Sequence, residues 1–161
     1  MALLRMDNVL VVVEDLDAAV AFFIELGMEL EGRMELEGEW VDGVIGIDGA
    51  RDEIAMLRTP DGHGRLELTQ FHTPAAVGPS PKDLPVNALG YRRVMFAVDD
   101  LDDTLVRLRA HGAELVRDVM QYEDVYRLCF IRGPNGIIVG LAQPLNEAQP
   151  DLFKKSESPS E

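Results

Sequence analysis

The passage VEDLDAAVAFFIELGMEL at residues 13–30 returns as VDDLDDTLVRLRAHGAEL at residues 98–115, an offset of 85. Seven of the eighteen aligned positions are identical: Val, Asp, Leu, Asp, Gly, Glu and Leu. They fall where a repeated structural unit needs them. Asp15 and Asp100 precede an apolar periodicity and offer a carboxylate to the first free amides of a helix. Leu16, Ala19, Val20, Phe23 and Ile24 follow the i, i+3, i+4, i+7, i+8 rhythm of one buried face; Leu101, Thr104, Leu105 and Leu108 do so in the second copy. Gly27 and Gly112 supply the left-handed stop. Two copies in 161 residues imply a duplicated module rather than a long array.

The rest of each copy reads as strand. Residues 6–13 and 91–98 are β-branched and apolar, and each leads into its helix. After the first helix, strands are expected over 29–36, 53–57 and 65–71, the last two joined by TPDGHG. After the second they are expected over 114–121, 125–131 and 137–143, with GPNG turning between the last two. The fold expected is α+β, with two tandem βαβββ modules. The first module spans 1–71, a proline-rich linker 72–89, the second module 90–145, and a polar, flexible tail 146–161. Residues 37–52, with the glycines of GVIGIDG, are expected to form a loop over the sheet, because no strand-then-helix context makes them a phosphate cradle.

Composition narrows the function classes. Fifteen Lys and Arg against twenty-nine Asp and Glu leave a net charge of −14. Such a surface repels phosphate backbones and anionic lipids, so neither nucleic acid nor membrane is expected as a partner. The longest strictly apolar run, residues 18–24, is far short of the roughly 20 residues that span a bilayer. The N-terminal residues lack the pattern of a signal peptide. The single cysteine, Cys129, excludes an internal disulfide. A cytoplasmic location is the simplest reading.

Paired βαβββ units with V-x-D-L-D openings and a P-[DN]-G turn before the last strand of each half resemble the vicinal oxygen chelate superfamily, the group of glyoxalase I, bleomycin-resistance proteins and extradiol dioxygenases. The resemblance covers residues 6–143. It implies curled mixed sheets around a concave cavity with the helices outside, ligand chemistry on the concave side, and dimers. Metal-using members draw one ligand from the first and last strand of each module, usually His, Glu, His, Glu. Carried over by position, these fall on Asn8, Glu67, Arg93 and Gly140. Asn8 and Arg93 stand 85 apart, so the repeat pairs them independently.

Only Glu67 of the four is a metal ligand of the usual kind. Arg offers donors and a permanent positive charge, Gly offers no side chain, and Asn is a weak neutral donor. No metal or other cofactor is therefore expected. Side-chain alternation sends Asn8, Leu10 and Val12 to the hollow, with Arg65, Glu67 and Thr69, and with Arg93, Met95 and Ala97 from the second module. Arg93 is expected to extend over Gly140 and pair with Glu67 where the metal would be. Asn8, Glu67 and Arg93 then orient a small-molecule ligand, while Trp40, Met56, Phe71 and Met95 supply apolar contact.

The expected function is metal-independent binding or sequestration of a small organic molecule by a homodimer, as in bleomycin-resistance-type proteins. The alternatives are a glyoxalase- or dioxygenase-type enzyme, a lyase or isomerase, that uses a displaced metal site or Glu67 as catalytic general base, and a ligand-less module acting through its dimer surface. None of His63, His72 and His111 occupies a hollow position, and Cys129 reads as a buried, inert thiol.

Overall fold

The computed structural model describes residues 3–79 and 83–146. Apart from Asn146, the expected tail lies outside the described residues, as do residues 80–82 of the linker. The first module runs β1 (Val9–Val12), α1 (Leu16–Leu26), β2 (Glu29–Glu37), α2 (Glu39–Ile45), β3 (Arg51–Arg58) and β4 (Arg65–Thr73). The second runs β5 (Arg93–Ala97), α3 (Leu101–Arg109), β6 (Glu114–Leu115), β7 (Met120–Tyr122), β8 (Tyr126–Arg132) and β9 (Ile138–Pro144). One sheet has the order β1-β4-β3-β2 and the other β5-β9-β8-β6, with β7 also paired to β8. In both, the first strand lies parallel to the last and the other pairings are antiparallel, so the sheets are mixed.

The repeated letters make repeated bonds. Asp15 Oδ1 accepts from the Ala18 amide at 3.0 Å, and Asp100 Oδ1 from the Asp103 amide at 2.9 Å. The first helical amide of each copy, on Leu16 and on Leu101, donates to the side-chain carbonyl of a glutamine on the module's last strand, Gln70 and Gln143, both at 2.9 Å. Each helix ends in the same way. The Met28 amide reaches back to the Phe23 carbonyl and the Ala113 amide to the Leu108 carbonyl, past Gly27 (φ 122°) and Gly112 (φ 85°). These bonds satisfy carbonyls that the helix leaves open.

Several elements differ from the sequence expectation. Residues 37–52 are not wholly a loop: Trp40, Val41, Val44 and Ile45 fall within α2, which ends at Gly46 in the left-handed region. The strand expected over 114–121 is broken into β6 and β7, and β4 continues two residues past the expected module boundary at 71. On α1 the buried face is Leu16, Ala19, Val20, Phe22, Phe23 and Leu26, and Ile24 is 47% exposed. The face expected on α3 is buried in full.

Both modules contribute to one core, in which α1 and α3 lie against β1, β3, β4, β8 and β9 side chains from one face of each sheet. The contact crosses between modules. A Cβ on Gly133 would sit 3.1 Å from Phe22 Cζ, the Phe23 and Phe96 ring centroids are 6.3 Å apart, and the Glu14 amide donates to Asn135 Oδ1 at 2.9 Å. The halves are therefore held edge to edge, with β1 and β5 lining a common groove.

Candidate functional site

Register decides which side chains face away from the core. Leu10 and Met56 are both partners of Glu67, Val12 and Ile54 of Thr69, and Asp52 of Phe71. Their alternates Ala55, Leu57, Leu66 and Leu68 are buried among the helices. In the second sheet Met95 and Phe130 flank Gly140, Arg93 partners Ile138, and Ala97 partners Ala142, while Val139, Leu141, Ile131 and Cys129 belong to the core. Glu67 in β4 and Gly140 in β9 thus stand at the same level, opposite Leu10 and Met95, which are themselves 85 residues apart.

The fourth corner is filled. A Cβ added to Gly140 would lie 2.6 Å from Met95 Sδ and 3.3 Å from Arg93 Cδ. The arginine's aliphatic stem does cross the space left by the missing side chain, as its sequence position predicts. Its guanidinium goes elsewhere. Arg93 Cζ lies 4.3 Å from the centroid of Phe130, a cation–π contact, and among the described residues no ion pair joins Arg93 to Glu67. The expected Arg93–Glu67 bond is not formed, because the flat cation reaches across β9 to the ring face of Phe130 on β8 of its own sheet. Phe130 was legible only from the alternation of RLCFIR, in which it shares parity with Leu128 and Arg132.

Without that cation Glu67 titrates differently. Burial is the main cause that lifts its pKa above the usual carboxylate value, and Asp52 adds like-charge repulsion. Asp52 is also raised, by burial, with His72 partly offsetting it. It is 4% exposed, and its Oδ1 has no hydrogen-bond partner. Thr69, 1% exposed, lies on the same face with its hydroxyl likewise unpartnered. Asp52 escaped notice in the sequence because the strand was expected to begin at Glu53. Counting back from Met56 through Ile54 would have placed it on the hollow face.

The other expected site residues are distributed around this face. Met56 and Glu67 are direct cross-strand neighbours and Phe71 lies on the same strand, next to Asp52. Asn8 immediately precedes β1 and is half-buried. Trp40 does not lie on the sheets: it is carried by α2 and is 77% exposed. A groove of about 470 Å³ is lined by Leu10 and Val12 of β1, by Arg93 and Met95 of β5, and by Ile138. A second space of about 380 Å³ adjoins Arg93, Phe130 and the linker residue Val86.

Each histidine lies beside another carboxylate, although His72 also acts on Asp52 through its charge. His63, His72 and His111 lie 3.8, 3.8 and 3.7 Å from Asp61, Glu53 and Glu25 respectively. Burial pushes the Cys129 thiol up, which disfavours the reactive thiolate. Tyr122 and Tyr126 pack against each other with centroids 5.9 Å apart. The four corner positions do not fit a divalent ion: they present one carboxylate, one amide, one guanidinium stem and no fourth side chain. Among the described residues no group of three His, Cys, Asp or Glu side chains is arranged to hold one. No helix there is long and apolar enough to cross a membrane.

The profile of the glyoxalase/bleomycin resistance protein/dioxygenase superfamily matches residues 5–141. Among solved structures, a glyoxalase family protein from Bacillus cereus is 55% identical, with a TM-score of 0.87 over 91% of this chain and 97% of its own. The trypanothione-dependent glyoxalase I of Leishmania major is 18% identical, with a TM-score of 0.59 over 86% of each chain. A fosfomycin resistance protein from Listeria monocytogenes, solved with Mn(II) and a dihydroxypropylphosphonic acid, is 12% identical, with a TM-score of 0.59 over 94% of this chain and 99% of its own. These last two share the fold. No protein of curated function matches the sequence.

Proposed function

The chain belongs to the glyoxalase/bleomycin resistance protein/dioxygenase superfamily, and from that premise we propose that it binds a small organic molecule in the hollow of its sheets without a metal ion. One observation carries the reading. The corner at Gly140 is occupied by Met95 Sδ and the Arg93 stem, so the position that would complete a metal site is a packed apolar wall. Around it Met56, Phe71 and Met95 offer adaptable apolar contact, and Asn8, Glu67 and Arg93 offer polar groups at the margins. Trp40 joins them as an exposed ring on α2. The protein is cytoplasmic in this reading and acts as a homodimer, and the pairing of two chains is supported by the apolar side chains that the single chain leaves exposed, among them Met34, Trp40 and Val44.

A second reading, Glu67 as the general base of a lyase or isomerase, is favoured by its raised pKa and by the absence, among the described residues, of a cation paired with it. One experiment addresses both. A thermal-shift screen of metabolites and antibiotics, run with a chelator present, should yield a compound that raises the melting temperature through mass action. The shift should be reduced in Arg93→Ala and Glu67→Gln. Turnover of that compound lost in Glu67→Gln moves the assignment to the second reading. Hemithioacetal turnover that requires an added divalent ion overturns both.

A further inference from the structure

Arg92 and Arg93 line both the groove along β1 and β5 and the smaller space beside Phe130 and Val86. Among the described residues no Asp or Glu lines either space, in a chain whose net charge is −14. Two further clefts do carry acids, Asp61 and Asp99 in one, Asp83 and Glu114 in the other. Among the described residues neither arginine makes an ion pair or a side-chain hydrogen bond, and the buried Nε of Arg92 has no acceptor. The Phe130 ring beneath Arg93 Cζ steadies the positive charge but is a poor acceptor for its N–H groups. Arg132, also on the groove, donates instead to the Gly136 and Leu84 carbonyls. A guanidinium left open beside a cavity is a preformed receptor for a carboxylate. Beyond the arginines the groove is apolar, and Leu10, Val12 and Met95 on its wall are 48, 39 and 45% exposed.

We propose that Arg92 and Arg93 form the head-group site for a carboxylate, and that the guest is a monocarboxylic acid with an apolar tail, bound as its anion. The carboxylate accepts from the N–H groups of the two arginines, while the tail lies along the groove over Leu10, Val12, Met95 and Ile138. The inference rests on the reading of the hollow as a metal-free binding site and names the chemistry of its guest. A purely polar anion would leave the apolar wall in water, whereas an acid with a tail covers it. A single charge also suits this chain, whose net charge of −14 repels a doubly charged phosphate or phosphonate more strongly. The groove, at about 470 Å³, has the size of a small-molecule site.

The test is calorimetric titration of the metal-stripped full chain with hexanoate, octanoate and decanoate, against acetate, 1-octanol and octylammonium. At least one of the longer acids should bind saturably at one site per chain at physiological ionic strength, and more tightly than every control. Arg92→Met and Arg93→Met, which keep an aliphatic stem, should each weaken that binding about tenfold while the unliganded melting temperature holds. Arg109→Met, at an exposed position on α3, should bind as the wild type does. Equal loss in Arg109→Met would show that the acid merely follows overall charge, and the proposal falls. It falls too if none of the longer acids binds. Binding of 1-octanol as tight as that of octanoate, and unchanged in the Arg92 and Arg93 variants, overturns the carboxylate site but leaves the metal-free reading standing. Acid binding that appears only with added Zn²⁺ and is lost in Glu67→Gln removes both.

Discussion

Asp52 and Glu67 define the residue scale, because both carboxyls hold their protons more tightly in the folded chain than in the unfolded one. Their contribution to stability is therefore full below the unfolded carboxylate range, near about 4, and is lost as pH rises through their raised folded values. Asp52→Asn and Glu67→Gln should accordingly stabilise the protein at neutral pH. For the more buried Asp52 the gain should be about 1 kcal/mol, the scale of relieving one unsatisfied buried group. Denaturant midpoints of both variants should exceed the wild type at pH 7 and converge on it near about pH 4. A gain that persists unchanged in acid would mean the side chains act through packing. Legibility at this scale was partial. Asn8, Arg93 and Gly140 were placed by the family resemblance, with the repeat independently pairing Asn8 and Arg93, whereas Asp52 was missed by one residue of strand boundary. The Arg93–Glu67 bond failed because parity fixes the face of a side chain but not which neighbour its far end selects.

The elements repeat because their ends repeat. Each helix is fixed at its start by an aspartate cap and by a glutamine from the last strand of its own module, Gln70 or Gln143. Asp15→Ala and Asp100→Ala should each cost about 1 kcal/mol. The double variant should lose close to the sum, since the caps lie on different helices and share no partner. Chemical denaturation reads all three, and a double variant no worse than either single would show that the caps are coupled. The strand–helix order was visible in the sequence because caps, stops and apolar periodicity agree there. The segment of α2 was not, because Gly38, Gly43 and Gly46 mask its helical spacing of Trp40, Val41, Val44 and Ile45. The break between β6 and β7 falls at Arg117 and Asp118, polar residues that the apolar neighbours Val116 and Val119 masked.

At the scale of the molecule the two modules are one body: α1 of the first packs its Phe22 onto Gly133 of the second, and Asn135 reaches Glu14. That arrangement brings β1 and β5 to a common groove and sets Glu67 and Gly140 as counterparts in adjoining sheets. Duplication alone generates this symmetry. What breaks it is chemistry, a carboxylate at one corner and a glycine under a thioether at the other. The most direct measurement is calorimetric titration of the metal-stripped protein with Zn²⁺, Ni²⁺ and Mn²⁺, in parallel with Glu67→Gln. Our account predicts no stoichiometric binding that depends on Glu67, and the same weak surface heats in both proteins. One ion per chain bound by the wild type and lost in Glu67→Gln would contradict it.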